Sequence, residues 1–148
     1  MNNLYVRVIE AKGIHGADLG GKSDPYCILK INDEEINKKR KKKGFEFAGK
    51  TSTKTKTLHP KWSETFILET IPGDEETDFL RVQLFDHDKV SNDDSIGMVK
   101  IPLSTFVNGQ PHDGWYDIKP MKKEKAKGQI HLLVHYCPVG VPFVRRDF

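Results

Sequence analysis

The sequence is poor in cysteine, and it lacks long apolar runs and catalytic signatures. Its two cysteines, Cys27 and Cys137, form no CxxC pair and have no metal-finger spacing. They read as free thiols of a cytosolic protein rather than as a disulfide framework. No run of about 18 apolar residues exists, so no helix is expected to span a membrane. Met1 to Glu10 is polar and alternating, unlike a secretion signal. HExxH, G-x-S-x-G and cysteine-nucleophile patterns are absent, and no enzyme is expected. There is also no internal repeat.

What remains is a chain of 148 residues, 36% hydrophobic and 30% charged, which suits one solvated globular domain with a real core. We place that domain at 1–137, with 138–148 as a tail or the start of a linker. The formal charge of +3 hides a segregation, with basic residues concentrated between Lys38 and Lys56. Segregation says more about partners than the net value does.

The hydrophobic pattern has a period of two. Leu4, Val6 and Val8 alternate with Tyr5, Arg7 and Ile9. Leu80, Val82 and Leu84 alternate with Arg81, Gln83 and Phe85, and Ile130, Leu132, Val134 and Tyr136 with His131, Leu133 and His135. Such alternation marks strands with one buried face. Further strands are expected at Tyr26 to Ile31, Lys50 to Thr57, Trp62 to Leu68, Ile96 to Ile101 and Gly114 to Ile118, with one helical turn at Leu103 to Val107. About eight short strands separated by Gly, Pro, Asp and Asn predict an all-β, eight-stranded antiparallel sandwich. Trp62, Phe66, Trp115 and Tyr116 are expected to pack in the core or at its edges. His131 and His135 share the face opposite Ile130 and Leu132.

The stretch GADLGGKS, residues 16–23, matches the phosphate-loop pattern letter for letter. A phosphate loop needs a helix directly after Lys-Ser, because the helix amides hold the phosphates. Here Asp24-Pro25 and a β-branched run follow instead, and two aspartates would repel phosphate. The alternative working residues are those aspartates, Asp18 and Asp24, flanking a glycine-rich turn. A second acidic cluster, DHDKVSNDD at 86–94, begins at the end of a predicted strand. Four carboxylates in nine residues repel one another unless a hard cation reverses the sign. Calcium takes six to eight oxygens from carboxylates, carbonyls and water. An EF-hand does not fit, since Ser91 stands where its glycine belongs and Gly97 where its bidentate glutamate belongs.

These motifs, taken in order, resemble a C2 domain, the calcium-dependent membrane-binding β-sandwich. The matching features are LYVRVIEAKGI from Leu4, Asp18-x5-Asp24-Pro-Tyr, TLHPKW from Thr57, Phe85-Asp86-x-Asp88-x5-Asp94, Ile96-Gly97 and Gly114-Trp115-Tyr116. His59 departs from the family's usual asparagine, which bears on the turn before Trp62. The first strand lies at the N-terminus and GQIHLLVHY supplies the last, so the order resembles the phospholipase-like permutation of the family.

The resemblance implies five acidic calcium ligands, Asp18, Asp24, Asp86, Asp88 and Asp94, with backbone carbonyls of Ala17 and His87. Ser91 would be an accessory ligand, and Asp93 has no assigned role. It implies two calcium ions and anionic phospholipid partners, phosphatidylserine and phosphoinositides. It also implies a cytoplasmic signalling module recruited to the inner face of membranes when calcium rises. Leu19, Lys22, Lys89 and Val90 would touch lipid first. Lys50, Lys54 and Lys56 share parity on one predicted strand and would form a basic patch for phosphoinositide headgroups, interrupted by Ser52. Lys38 to Lys43 lie in a connection, 32–49, that is long for a hairpin. That connection lacks interleaved aromatics apart from Phe45 and Phe47, so no nucleic-acid partner is expected. The rival reading is a protein-interaction module in which calcium is structural or not required.

Overall fold

The structure, a computed structural model, describes residues 2–16, 21–31, 49–70 and 78–138. Among the described residues there are eight strands and one 3₁₀ turn. They are β1 (Asn2–Lys12), β2 (Pro25–Ile31), β3 (Gly49–Lys50), β4 (Lys61–Thr70), β5 (Phe79–Asp86), β6 (Asp94–Pro102), the turn Leu103–Phe106, β7 (His112–Asp117) and β8 (Gln129–Cys137). They form two four-stranded sheets of order β4-β1-β8-β7 and β3-β2-β5-β6. Every named strand pair is antiparallel.

The period-two pattern is the reason for this architecture. Leu4, Val6 and Val8 on β1 and Ile130, Leu132 and Val134 on β8 are all fully buried. Cys27 and Leu29 on β2 and Leu80, Val82 and Leu84 on β5 face them from the second sheet, and all belong to one core cluster. Fully burying a side chain of this size contributes about 1.5–3 kcal/mol, so a register slip of one residue is strongly disfavoured. Phe106, from the 3₁₀ turn, is fully buried against the same core. β8 lies beside β1, with Leu4 opposite Tyr136 and Lys12 opposite Gln129. Among the described residues the last strand thus neighbours the first, as the phospholipase-like permutation requires. Both cysteines are buried free thiols. No helix among the described residues is long and apolar enough to cross a membrane.

Two expectations need correction. The strand expected over Lys50 to Thr57 pairs as a ladder only at Gly49–Lys50. Beyond it, the amides of Thr51, Lys54 and Thr57 donate to the carbonyls of Cys27, Pro25 and Ser23. The segment thus advances three residues for every two of β2. Lys56 also has a φ of 50°, a region that non-glycine residues rarely enter. Both features break the side-chain alternation, so the shared parity of Lys50, Lys54 and Lys56 no longer places them on one face. Trp115 is the second case. It lies on the outer face of β7 and is 38% exposed, whereas Trp62 is buried and Phe66 and Tyr116 pack against the core. Lys12 Nζ sits 4.2 Å above the Trp115 ring and His131 stacks on it at 4.8 Å. A cation and a second aromatic thus cover a ring that the core does not use.

One end of the sandwich collects the loops of interest. β1 ends at Lys12 and leads to residues 13–24, β5 ends at Asp86, and β6 starts at Asp94. The connection from β7 to β8, residues 118–128, closes at the same end, because Gln129 pairs with both Asp117 and Lys12.

Candidate functional site

Four of the five predicted acidic ligands lie in described residues, and strand ends position three of them. Asp86 terminates β5 opposite Asp94, the first residue of β6, and also opposite Pro25, the first residue of β2. Asp24 immediately precedes that proline. Its amide donates to Asp86 Oδ1 at 2.8 Å, and its own Oδ1 accepts from the Lys56 amide at 2.7 Å. The His87 amide donates to the Asp24 carbonyl at 3.0 Å. These bonds tie three chain segments together around Asp24. Asp86 is buried, with 6% of its surface exposed. A buried carboxylate is costly unless hydrogen bonds or a cation compensate it.

Asp88 is the second residue of the loop between β5 and β6. Its Oδ1 accepts from the Val90 amide at 2.8 Å and its Oδ2 from Ser91 Oγ at 2.9 Å. The Val90 amide, Ser91 hydroxyl and Ser91 amide hold its carboxyl below the usual carboxylate range. Ser91, expected as an accessory ligand, binds Asp88 in this structure. Lys22, Lys89 and Val90 are exposed, and Val90 is 95% exposed. They are accessible to solvent, as lipid contact would need. Ala17, Asp18 and Leu19 lie outside the described residues, as does the basic run from Lys38 to Lys43.

Two residues given no role in the sequence prove to be organisers. Asp93 Oδ1 accepts from the Asp88 amide at 2.9 Å, and its Oδ2 accepts from the Tyr26 hydroxyl. His87 Nδ1 is 3.4 Å from the same carboxylate. The Asp88 amide and Tyr26 hydroxyl lower the Asp93 pKa. Burial, reinforced by Asp93, raises that of Tyr26 far above its ordinary value. Tyr26 lies on the outer face of β2, stacks on Phe85 at 5.6 Å and carries Lys50 Nζ 4.5 Å above its ring. Asp93 therefore joins the acidic loop to the lysine-bearing edge of the sheet. A tyrosine after Asp-Pro and an aspartate one residue before Asp94 were visible in the sequence. Only the fold shows them meeting.

The donor set consists of hard oxygen groups, which suits calcium or magnesium and not a thiolate-bound metal. Among the described residues, no group of three or more His, Cys, Asp or Glu side chains is arranged to hold a metal ion. The carboxylates of Asp24 and Asp86 accept from backbone amides and that of Asp88 from amides and a hydroxyl, and Asp18 lies outside the described residues. Donor chemistry and clustering at one end fit a calcium site.

The model of the C2 domain family matches residues 2–118. The chain belongs to the C2 domain family. Curated relatives of this C2 domain include synaptotagmin-4 of Arabidopsis thaliana, 34% identical over 144 residues that cover 95% of this chain and 23% of the relative. Synaptotagmin 1 of Drosophila melanogaster is 35% identical, covering 94% of this chain and 28% of its own length. The chain thus spans about a quarter of these relatives. Among solved structures, a C2 domain of plant extended synaptotagmin 1 superposes with a TM-score of 0.74 and 25% identity, covering 93% of this chain and 95% of that one. Human GIVD cytosolic phospholipase A2 gives 0.70 and 25%, with 94% of this chain and 17% of the enzyme covered. The calcium-bound pair of C2 domains from extended synaptotagmin 2 gives 0.67 and 26%, covering 91% of this chain and 45% of that chain.

Proposed function

We propose that this C2 domain binds anionic phospholipid membranes in response to calcium. The observation that carries the reading is that Asp24, Asp86 and Asp94 lie at adjoining strand ends, with Asp88 in the loop between the last two. The described carboxylates, together with Asp18 and the carbonyls of Ala17 and His87, would hold two calcium ions. Without them, about five negative charges at that end oppose an anionic leaflet, whose surface potential is roughly −30 mV. When bound, calcium supplies positive charge there and an open coordination position for a lipid phosphate oxygen.

The chain's own residues do the rest. Asp86 is fixed by the Asp24 amide, and Asp88 by the Val90 and Ser91 donors, so the loop is held before any ligand arrives. The exposed residues Lys22, Lys89 and Val90 offer little apolar surface, and the sequence adds only Leu19 to it, so insertion is shallow and charge dominates. Lys50, Lys54 and Lys56 add attraction beside the site, on the order of 1 kcal/mol for each lysine that reaches the surface. Lys50 is poised over Tyr26, which suits a phosphoinositide headgroup. Such a domain acts as a cytoplasmic module recruited to the inner face of membranes.

The test is sedimentation with vesicles containing or lacking phosphatidylserine, with calcium or with chelator. Binding that needs both calcium and the anionic lipid is expected. Equal sedimentation with chelator, or none in any condition, contradicts the reading and leaves a protein-interaction module as its replacement.

A further inference from the structure

A second basic surface stands at the same end of the molecule, and the acidic site does not account for it. The β7–β8 connection runs KPMKKEKAKG from Lys119 to Gly128, five lysines against one glutamate. Lys119, Lys122, Lys123, Lys125 and Lys127 are all exposed. The connection is nevertheless well tethered. Met98 and Lys119 exchange backbone hydrogen bonds of 2.7 and 2.9 Å, so the segment begins as an extra rung on the β6 edge. The Ile118 amide donates to the Gly128 carbonyl at 3.0 Å and closes the loop. Within it, Glu124 accepts from the Met121 and Lys122 amides, each at 2.8 Å, and from the Ser95 hydroxyl. The single acidic side chain therefore works as an internal tie, anchored one residue from Asp94, and leaves the lysines to project.

Between this loop and the sheet lies a cavity of about 830 Å³, lined among others by Lys30, Phe85, Asp93, Asp94, Lys122 and Lys125. It opens beside the candidate calcium residues on the β6 edge, opposite the edge that carries Lys50. The acidic site thus has lysines on both flanks.

We infer that the 119–127 loop is a second docking surface for an anionic lipid bilayer, and that it pairs with lipid headgroups next to those held at the acidic loops. This inference rests on the membrane reading above. The occupant follows from charge and placement. Five lysines from a tethered loop sit at the very end that would face the bilayer, so membrane approach brings them within a Debye length of its surface, about 8 Å at physiological salt. A lipid whose phosphate lies beside Asp94 would present neighbouring headgroups to Lys122 and Lys125 across the cavity.

The experiment measures binding to phosphatidylserine vesicles, with calcium, for wild type, Lys122→Ala/Lys123→Ala/Lys125→Ala, Lys100→Ala and Asp86→Asn/Asp88→Asn. Each lysine that reaches the surface is expected to change affinity about fivefold. The triple variant should therefore bind between about fivefold and about 100-fold more weakly, with a shallower salt dependence and unchanged calcium binding without vesicles. Lys100→Ala, toward the far end of β6, should bind like wild type. A triple variant within about twofold of wild type overturns the inference and leaves the calcium reading intact. Full binding by the aspartate variant overturns the calcium reading, while the lysine result still decides the loop. Retention on immobilised polyglutamate that the triple variant loses, without a vesicle defect, assigns the loop to an acidic protein partner and also overturns the inference.

Discussion

Gly97→Ala is the substitution for which this fold makes the sharpest demand. Gly97 sits on β6 opposite Leu84, at a bulge in the β5–β6 pairing, with a φ of 149°. A Cβ there would lie 2.5 Å from Ile118 Cγ2, 2.9 Å from the Lys119 carbonyl oxygen and 3.1 Å from Ala126 Cβ. All three belong to the 118–128 connection, which docks on β6 through Met98 and Lys119. The carbonyl cannot rotate away as a flexible side chain would, so the connection must shift. Backbone strain of about 1–2 kcal/mol and overpacking of about 1–3 kcal/mol give a loss of roughly 2–5 kcal/mol. Against a typical domain stability of about 5–15 kcal/mol, that is a large fraction. Gly109→Ala separates the two contributions. Gly109 also has a left-handed φ, 76°, but a Cβ there meets nothing within 4 Å, so only the backbone cost of about 1 kcal/mol applies. Urea unfolding monitored by tryptophan fluorescence reads both, as a lower midpoint with an unchanged slope. Equal losses for the two variants, or a Gly97→Ala loss below about 1 kcal/mol, would refute the docking of this connection on β6.

Three further outcomes follow from the same structure. Burial disfavours the charged form of Glu124, but donors from Ser95, Met121 and Lys122 outweigh it and hold its pKa down to about 2. Its stabilising contribution is therefore complete above the ordinary carboxylate range and fades as pH falls through about 2. Glu124→Ala should accordingly lower the melting temperature at pH 7, and the difference should shrink in strong acid, as thermal melts at several pH values would show. Cys27 is fully buried, and burial together with Glu64 raises its thiol pKa well above the usual value. It should stay unreactive to a thiol-modifying reagent in native buffer and react on denaturation; rapid native labelling would contradict its core position. Phe106→Ala, which empties a fully buried site, should cost about 3–5 kcal/mol in urea unfolding.

The parts of the fold that were legible in the sequence are those where one face of a strand is buried. Leu4, Val6 and Val8 or Leu80, Val82 and Leu84 alternate because the sandwich has a single core, so their spacing carries the sheet directly. Lys50 to Thr57 shows where this logic fails. Its Lys/Thr alternation is polar on both faces, so no apolar side chain sets its register, and backbone bonding to β2 imposes a different spacing. The acidic cluster stood out in the sequence because carboxylates are seldom concentrated without a reason, and the fold brings Asp24, Asp86 and Asp94 to adjoining strand ends. Asp93 was not, since its role depends on Tyr26, 67 residues away in the chain. The five lysines of the 119–127 loop were plain in composition. Their significance depends on β7 and β8 turning at the acidic end, and that is a matter of topology rather than of local pattern.

The central claim is that the converging aspartates form a working calcium site coupled to anionic lipid. Calorimetry of calcium binding tests it most directly, with and without phosphatidylserine vesicles, on wild type and Asp86→Asn/Asp88→Asn. The account predicts about two ions per chain, tighter binding with vesicles, and loss of both effects in the variant. No heat at millimolar calcium, or an aspartate variant that binds like wild type, would contradict it.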